Sequence, residues 1–288
     1  MNKSAVSPRG KIRSPVVAGL FYPEDRADTE ARLCSYGLLG GIGDSAAAIV
    51  APHGAWDISG AIAGAAFSAA AGRIHRNSPS RGGEDGLSRV LILGCIHEPI
   101  EEGIFLSDSH YFETPLGSLP VDRRLSAELA SCNTLFEIND IPHLREHTVE
   151  VLLPFIKFCF PGAKIIPLLL GGSRPALISA LARALFIVFK SRMADTLFVV
   201  SANISKNSDE KKALEQADEC IRLLAENDTG AFSAALRDGR INPCGGGALA
   251  ALLESGLLAG RPGKLVSGPV KARGEENKTV YYGGISFE

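Results

Sequence analysis

The sequence predicts an α/β fold in which a mainly parallel central sheet is flanked by helices on both faces. Three observations carry this expectation. Strand-like and helix-like segments alternate along the chain, the order that builds a parallel sheet covered on both sides. The run Arg89 to Gly94 is apolar almost throughout rather than alternating, as a strand buried on both faces must be. And the apolar run before Pro52 turns through His53-Gly54 into an Ala/Gly-rich helix, a strand-to-helix corner of the kind at which open α/β sheets bind ligands and metals.

The totals set the class of protein. The chain has 288 residues, 45% hydrophobic and 22% charged, which is ordinary for a globular enzyme with a large core. A single domain over 1–288 is expected, with 1–15 as a loose polar lead. A net charge of −2 without a basic stripe gives no footprint for nucleic acid or an anionic membrane, so small or neutral partners are favoured. Cys34, Cys95, Cys132, Cys159, Cys220 and Cys244 are scattered without CxxC spacing, which excludes a zinc ribbon and a disulfide scaffold and fits reduced thiols. The N-terminus lacks an apolar signal core and no later run reaches membrane-spanning length, so the expected location is the cytoplasm.

In order, Val16 to Pro23 reads as a docked aromatic segment, Asp25 to Tyr36 as the first helix and Gly37 to Asp44 as a glycine-rich loop. Gly41 to Ala46 imitates a dinucleotide fingerprint but precedes a strand, whereas phosphate cradling needs the glycines after one. Strands are expected at Ala46 to Ala51, Arg89 to Gly94, Lys164 to Leu170 and Thr196 to Ser201, and helices at Ser59 to Arg73, Val121 to Ser131, Pro175 to Lys190 and Asp209 to Glu226. Asn77 to Gly86 is a loop by composition, and Gly103 to Leu119 mixes β and loop. Glu146 to Phe155 begins a helix with Glu146 and Glu150 on one face, and Pro154 should kink or break it. Lys264 to Ala272 and Thr279 to Phe287 are expected as antiparallel strands that finish the sheet.

The candidate chemistry gathers at element ends. His53 and His97 each follow a strand, and Cys244 precedes a helix, whose dipole favours its thiolate. If the strands are neighbours, two imidazoles and a thiolate form a borderline-soft set suited to copper, iron or zinc and unsuited to magnesium or calcium. The alternative is two hydrogen-bonded structural histidines. Glu146, His147 and Glu150 make either a catalytic cluster or a charged first helical turn. Asn203 and Lys206 follow a third strand and either line the same cleft or are ordinary loop residues. Nothing around His75, His110 or His143 suggests a site.

Taken together, Ala18-Gly-Leu-Phe-Tyr-Pro23, Ala51-Pro-His-Gly-Ala-Trp56 with Ser59-Gly60, Leu93-Gly-Cys-Ile-His97, Thr114-Pro-Leu-Gly117, Glu146-His-Thr-Val-Glu150 with Leu153-Pro154, and Cys244-Gly245 resemble the Memo-like family, protein B of the AmmeMemoRadiSam system. The landmarks cover nearly the whole chain in the family's order. The resemblance implies a mixed, largely parallel sheet between helices, like that of class III extradiol dioxygenases of the LigB type. It also implies an iron or copper site on His53, His97 and Cys244. The main departure from the family replaces an aspartate and a histidine by Asn203 and Lys206 in Ser201-Ala-Asn-Ile-Ser-Lys-Asn207; Glu98 after the second histidine and Gly54-Ala-Trp56 in place of Ala-Gly-Tyr are two others. Asparagine removes a carboxylate's basicity, and lysine at about pKa 10.4 does not replace a histidine proton shuttle near neutrality.

The expectation is therefore a metal-binding protein with Glu146, His147, Asn203 and Lys206 near the metal, acting, if an enzyme, as a dioxygenase-like oxidoreductase on a small molecule or dioxygen. A binding module that takes a peptide in the same cleft is one rival. Zinc-assisted hydrolysis with Glu98, Glu146 or Glu150 as base is another. The family also implies a pathway link to a radical SAM enzyme and an Ammecr-domain protein.

Overall fold

The computed structural model describes residues 10–38, 45–72, 87–98, 102–274 and 277–288. The chain opens with strand β1 (Ile12–Arg13) and helix α1 (Arg26–Ser35), capped by Asp25, whose carboxylate accepts from the Ala27 and Asp28 amides. Strand β2 (Ala48–Ala51) leads into α2 (Trp56–Ala71), and β3 (Arg89–Cys95) is followed by the short strands β4 (Gly103–Leu106), β5 (Tyr111–Phe112) and β6 (Leu119–Pro120). Next come α3 (Arg123–Ala130), β7 (Phe136–Ile138), α4 (Ile141–Arg145), α5 (Leu153–Cys159), β8 (Lys164–Gly171) and α6 (Pro175–Phe189). Strands β9 (Thr196–Ser201) and β10 (Ser205–Asn207) precede α7 (Glu210–Glu226), α8 (Thr229–Arg237) and α9 (Gly246–Glu254), and the hairpin β11 (Gly263–Arg273) and β12 (Thr279–Phe287) closes the chain.

The main sheet runs β10-β12-β2-β9-β3-β8-β4-β7, with β11 paired to β12. Its centre, β2-β9-β3-β8, is parallel, and antiparallel pairings of β12 with β2 and of β4 with β8 flank it. Alternate side chains feed two cores, one on each face. Val50, Leu91, Leu93, Phe198 and Val200 pack with Leu181, Leu185, Leu249 and Leu252 of α6 and α9. Ile49, Val90, Ile92, Leu197 and Val199 pack with Phe67 and Phe155 of α2 and α5. Fully buried side chains such as Phe67, Phe155 and Phe198 each contribute about 1.5–3 kcal/mol. The predicted class, a mixed and largely parallel sheet covered on both faces, is the observed one. No helix among the described residues is long and apolar enough to cross a membrane.

Three local expectations differ from the structure. Residues 11–13 are not loose: β1 pairs with β5, and the buried Arg13 guanidinium lies 2.6 Å from Glu150 Oε2. The expected helix from Glu146 is broken into pieces. Glu146 is extended (φ −104°, ψ 136°) and ends α4, a 3-10 turn spans Glu150–Leu152, and α5 starts at Leu153 with Pro154 in its first turn, where a missing N–H costs nothing. The two glutamates therefore do not share a helical face. Strand β12 also does more than finish an edge, because it inserts between β10 and β2. His75, the glycine run at 41–44 and the loop at 77–86 fall outside the described residues.

Candidate metal centre

The order β2-β9-β3 sets the carboxyl ends of three parallel strands side by side, and each carries a residue of the site just past its last sheet position. From β2 comes His53, which is 2% exposed. Strand β9 delivers Ser201 and Asn203, and β3 delivers Cys95 and His97. Cys244 arrives from outside the sheet, two residues before α9. The last approach needs Gly245: a β-carbon there would stand 2.5 Å from the Ser201 carbonyl oxygen and 2.6 Å from the Ala202 side chain. Only glycine lets the cysteine segment lie against the end of β9.

Each histidine is oriented through its Nδ1. Ser201 Oγ donates to the Thr148 carbonyl oxygen at 2.6 Å, so its lone pairs face His53 Nδ1 at 2.9 Å, which must carry the hydrogen. With Nδ1 tied back, His53 turns Nε2 inward, and Nε2 lies 3.1 Å from Cys244 Sγ. His97 Nδ1 sits 3.2 Å from both oxygens of Glu146, which leaves Nε2 for its contact with Cys244. The Asn203 amide donates to Cys244 Sγ at 3.0 Å, and Asn203 Oδ1 accepts from the His53 amide at 3.3 Å. Ligand atoms of His53, Cys95, His97 and Cys244 all lie within 4.8 Å of one another.

Glu146 organises the outer side. Its oxygens accept from the backbone N–H groups of His97 (2.7 Å), His147 (2.8 Å) and Thr148 (3.1 Å), and His147 Nδ1 lies 3.1 Å away. The rings of His97 and His147 stack in parallel with centroids 5.2 Å apart, and the Phe21 ring stands 4.6 Å from His147. His97 is the accessible member, with a side chain 34% exposed.

The charges follow from these contacts. Burial opposes charge on Cys244, but the contacts with Cys95, His53 and His97 outweigh it and hold the thiol well below its usual range. Cys95 moves the opposite way, raised first by its contact with Cys244 and then by burial, so Cys244 is the thiolate of the pair. Burial lowers His97, yet Cys244 and Glu146 on either side raise it to about 10. Burial pushes the Glu146 carboxyl up, but His97 and His147 bring it down to about 2. His147, lowered to about 4 chiefly by burial, is a neutral imidazole at physiological pH.

The other sequence candidates are placed elsewhere. Glu150 Oε1 accepts from Val17 N–H at 2.9 Å and Tyr22 O–H at 3.0 Å, Val16 N–H donates to both oxygens, and Arg13 takes the remaining side. It anchors the N-terminal segment. Lys206 lies on β10 opposite Val280, and among the described residues its side chain makes no hydrogen bond or ion pair. Glu98 is exposed beyond β3. His110 bonds the Lys11 amide and faces Arg123, and buried His143 has its Nε2 3.3 Å from the Phe105 carbonyl oxygen. Sequence reasoning missed Cys95, Ser201, Thr148 and Phe21. A signal existed for Cys95: two residues before His97 in an extended chain, it must point to the same side.

Comparison with known proteins agrees with the sequence landmarks. The family model described as Memo-like protein matches residues 13–286. A MEMO1 family protein of Thermotoga neapolitana is 29% identical over 262 residues, covering 87% of this chain and 90% of its own. One from Nitrosopumilus maritimus is 28% identical over 287 residues, covering 96% and 99%. A third, from Pyrococcus furiosus, is 32% identical over 199 residues, covering 67% and 64%. Among solved structures, an uncharacterized protein of Escherichia coli K12 aligns with a TM-score of 0.43 at 11% identity, covering 84% of this chain and 99% of its own. The sequence landmarks, the sheet and a match over nearly the full length lead to one conclusion: the chain belongs to the Memo-like protein family.

Proposed function

We propose that this chain holds a transition metal, copper or iron, on His53, His97 and Cys244 and uses it in redox chemistry on a small molecule. The observation that carries this reading is the orientation of the two imidazoles. Each Nδ1 is tied back into the protein, one by Ser201 and one by Glu146, and each Nε2 is turned toward the same sulfur. That is how metal-ligating histidines are held, with the outer nitrogen fixed by a carboxylate or oxygen partner. A copper or iron ion bound there would supply reversible one-electron transfer.

The remaining groups position and move protons. Glu146 fixes the rings of His97 and His147 together, and Asn203 holds the His53 amide and the Cys244 sulfur in place. With Asn203 in place of a carboxylate and Lys206 without a side-chain contact to the cluster, the proton acceptor is His147, neutral at physiological pH and 5.8 Å from the His53 ring. Phe21 covers one side of His147, and a small molecule enters past the exposed edge of His97. Hydrolysis with Glu146 or Glu150 as base is the weaker reading, because both already have their oxygens occupied by donors and neither is free to deprotonate water.

The test is metal content after anaerobic reconstitution with iron, copper and zinc, on the wild type and on folded His53→Ala and Cys244→Ala variants. Near-stoichiometric copper or iron, lost in both variants, is expected, with oxygen consumption then lowered in His147→Asn. A wild type that retains neither copper nor iron overturns the proposal.

A further inference from the structure

Cys95 is the last residue of β3, 8% exposed, and two residues from His97. Its thiol group is the fourth member of a set whose donor atoms all lie within 4.8 Å of one another, together with His53, His97 and Cys244. The other fully enclosed cysteines, Cys159 and Cys220, behave as small apolar residues, and burial alone or chiefly raises both to about 12. Cys95 instead has its sulfur within 4.8 Å of the Cys244 sulfur and of both histidines.

We propose that Cys95 is a fourth protein ligand, so that the centre is a two-histidine, two-cysteine site that takes a thiophilic ion, copper(I) or zinc, ahead of iron(II). The inference rests on the metal reading above; it favours copper over iron there and adds zinc as a redox-silent occupant. Four ligands in an ideal tetrahedral site at ordinary bond lengths stand about 3.3 Å apart for two nitrogens and about 3.8 Å apart for two sulfurs. His53 Nε2 and Cys244 Sγ are already 3.1 Å apart, and the 4.8 Å limit on the whole set leaves a side-chain adjustment of at most about 1 Å for the two sulfurs and about 1.5 Å for the two nitrogens.

The backbone around Cys95 is set for this. Its carbonyl oxygen accepts from Thr148 Oγ1 at 2.9 Å, and the preceding Gly94 permits that approach, since a β-carbon there would meet Thr148 Oγ1 at 2.6 Å. Thr148 in turn receives Ser201, which orients His53. One residue thus braces ligands on two strands. Two thiolates also cancel the charge of a divalent ion in a largely buried position, and thiolate-rich sets select copper(I) and zinc over iron(II). Ion binding displaces two protons into solvent, the Cys95 thiol proton and the one on His97 Nε2, with no change of oxidation state.

The experiment uses the full chain, reduced and metal-free, titrated anaerobically with cobalt(II) while the thiolate-to-cobalt absorption is read. The wild-type band should be twice as intense as that of Cys95→Ala, and Cys244→Ala and the double variant should have none. Zinc should displace the cobalt stoichiometrically, and iron(II) should not. Should the alanine variant lose its unfolding transition, the near-isosteric Cys95→Ser is used, with the same halving expected. A wild-type band retained in full without Cys95 and abolished without Cys244 overturns the fourth ligand but leaves the metal reading standing. A wild type that binds neither cobalt nor zinc, copper or iron overturns both.

Discussion

Replacing Glu146 by glutamine keeps its shape but makes one oxygen an NH2 donor. The cheaper amide orientation keeps the oxygen where His147 and Thr148 donate at 2.8 and 3.1 Å and turns the NH2 toward the His97 amide, now 2.7 Å from an acceptor. That forfeits one charge-assisted hydrogen bond and leaves a half-buried N–H facing another donor, about 1.5–3 kcal/mol. The imidazole of His97 also loses the carboxylate that fixes its Nδ1, and losing such a partner weakens metal binding about 10–100-fold. In free energy this is about 1.4–2.7 kcal/mol of metal binding, separate from the loss of folding stability. Because the Glu146 carboxyl is held at about 2, the effect should be fully present at neutral pH. Chelator competition gives the metal affinity of each protein, and urea unfolding of the metal-free forms gives the stability. Wild-type affinity in Glu146→Gln would refute the role assigned to the carboxylate, and a loss of stability without a loss of affinity would reduce it to a loop brace.

Arg13→Met should lower stability by about 3–5 kcal/mol, since it leaves Glu150 charged and buried, and the double change with Glu150→Leu should recover much of this in denaturant unfolding. Gly245→Ala should cost about 1–3 kcal/mol and weaken metal binding as well, because its β-carbon would push Cys244 away from β9. The metal-free protein should hold its stability from about pH 6.5 to about 8.5. On the acid side, fully buried His143 and largely buried His147 each titrate at about 4 when folded and near 6.5 when unfolded, so their contributions are complete above 6.5 and are lost as the pH falls toward 4, by up to about 1.4 kcal/mol per unit each. On the alkaline side, His97 is raised to about 10 and its contribution fades above 6.5, but the lowered Cys244 thiol gains over the same range up to its unfolded value near 8.5, so the net loss runs from about 8.5 to 10. Unfolding measured across pH 4 to 10 checks both limbs, and His143→Phe should about halve the acid one and leave the alkaline one.

Much of the architecture is legible in the residues themselves. Continuous apolar runs such as Val90 to Leu93 suit only strands covered on both faces, and Asp25, Asp122 and Asp209 mark helix starts because their carboxylates satisfy free amides. The stretch from Glu146 to Leu152 was misread because its periodicity is local, while its conformation answers to distant groups. Glu146 is drawn out to meet the His97 amide, and Glu150 is turned the other way to meet Arg13, 137 residues earlier. Helical preference for this segment is worth tenths of a kcal/mol per residue, less than either buried carboxylate interaction.

The sequence by itself determined the class of the fold, the family and the residue types of His53, His97 and Cys244, because these depend on local pattern and order along the chain. Only the tertiary structure decided that β9 lies between β2 and β3, that Ser201 and Glu146 select which nitrogen each histidine turns inward, and that Cys95 joins the set while Lys206 stays apart. Strand order and side-chain direction are set by pairings between residues far apart in sequence, and no local pattern encodes them.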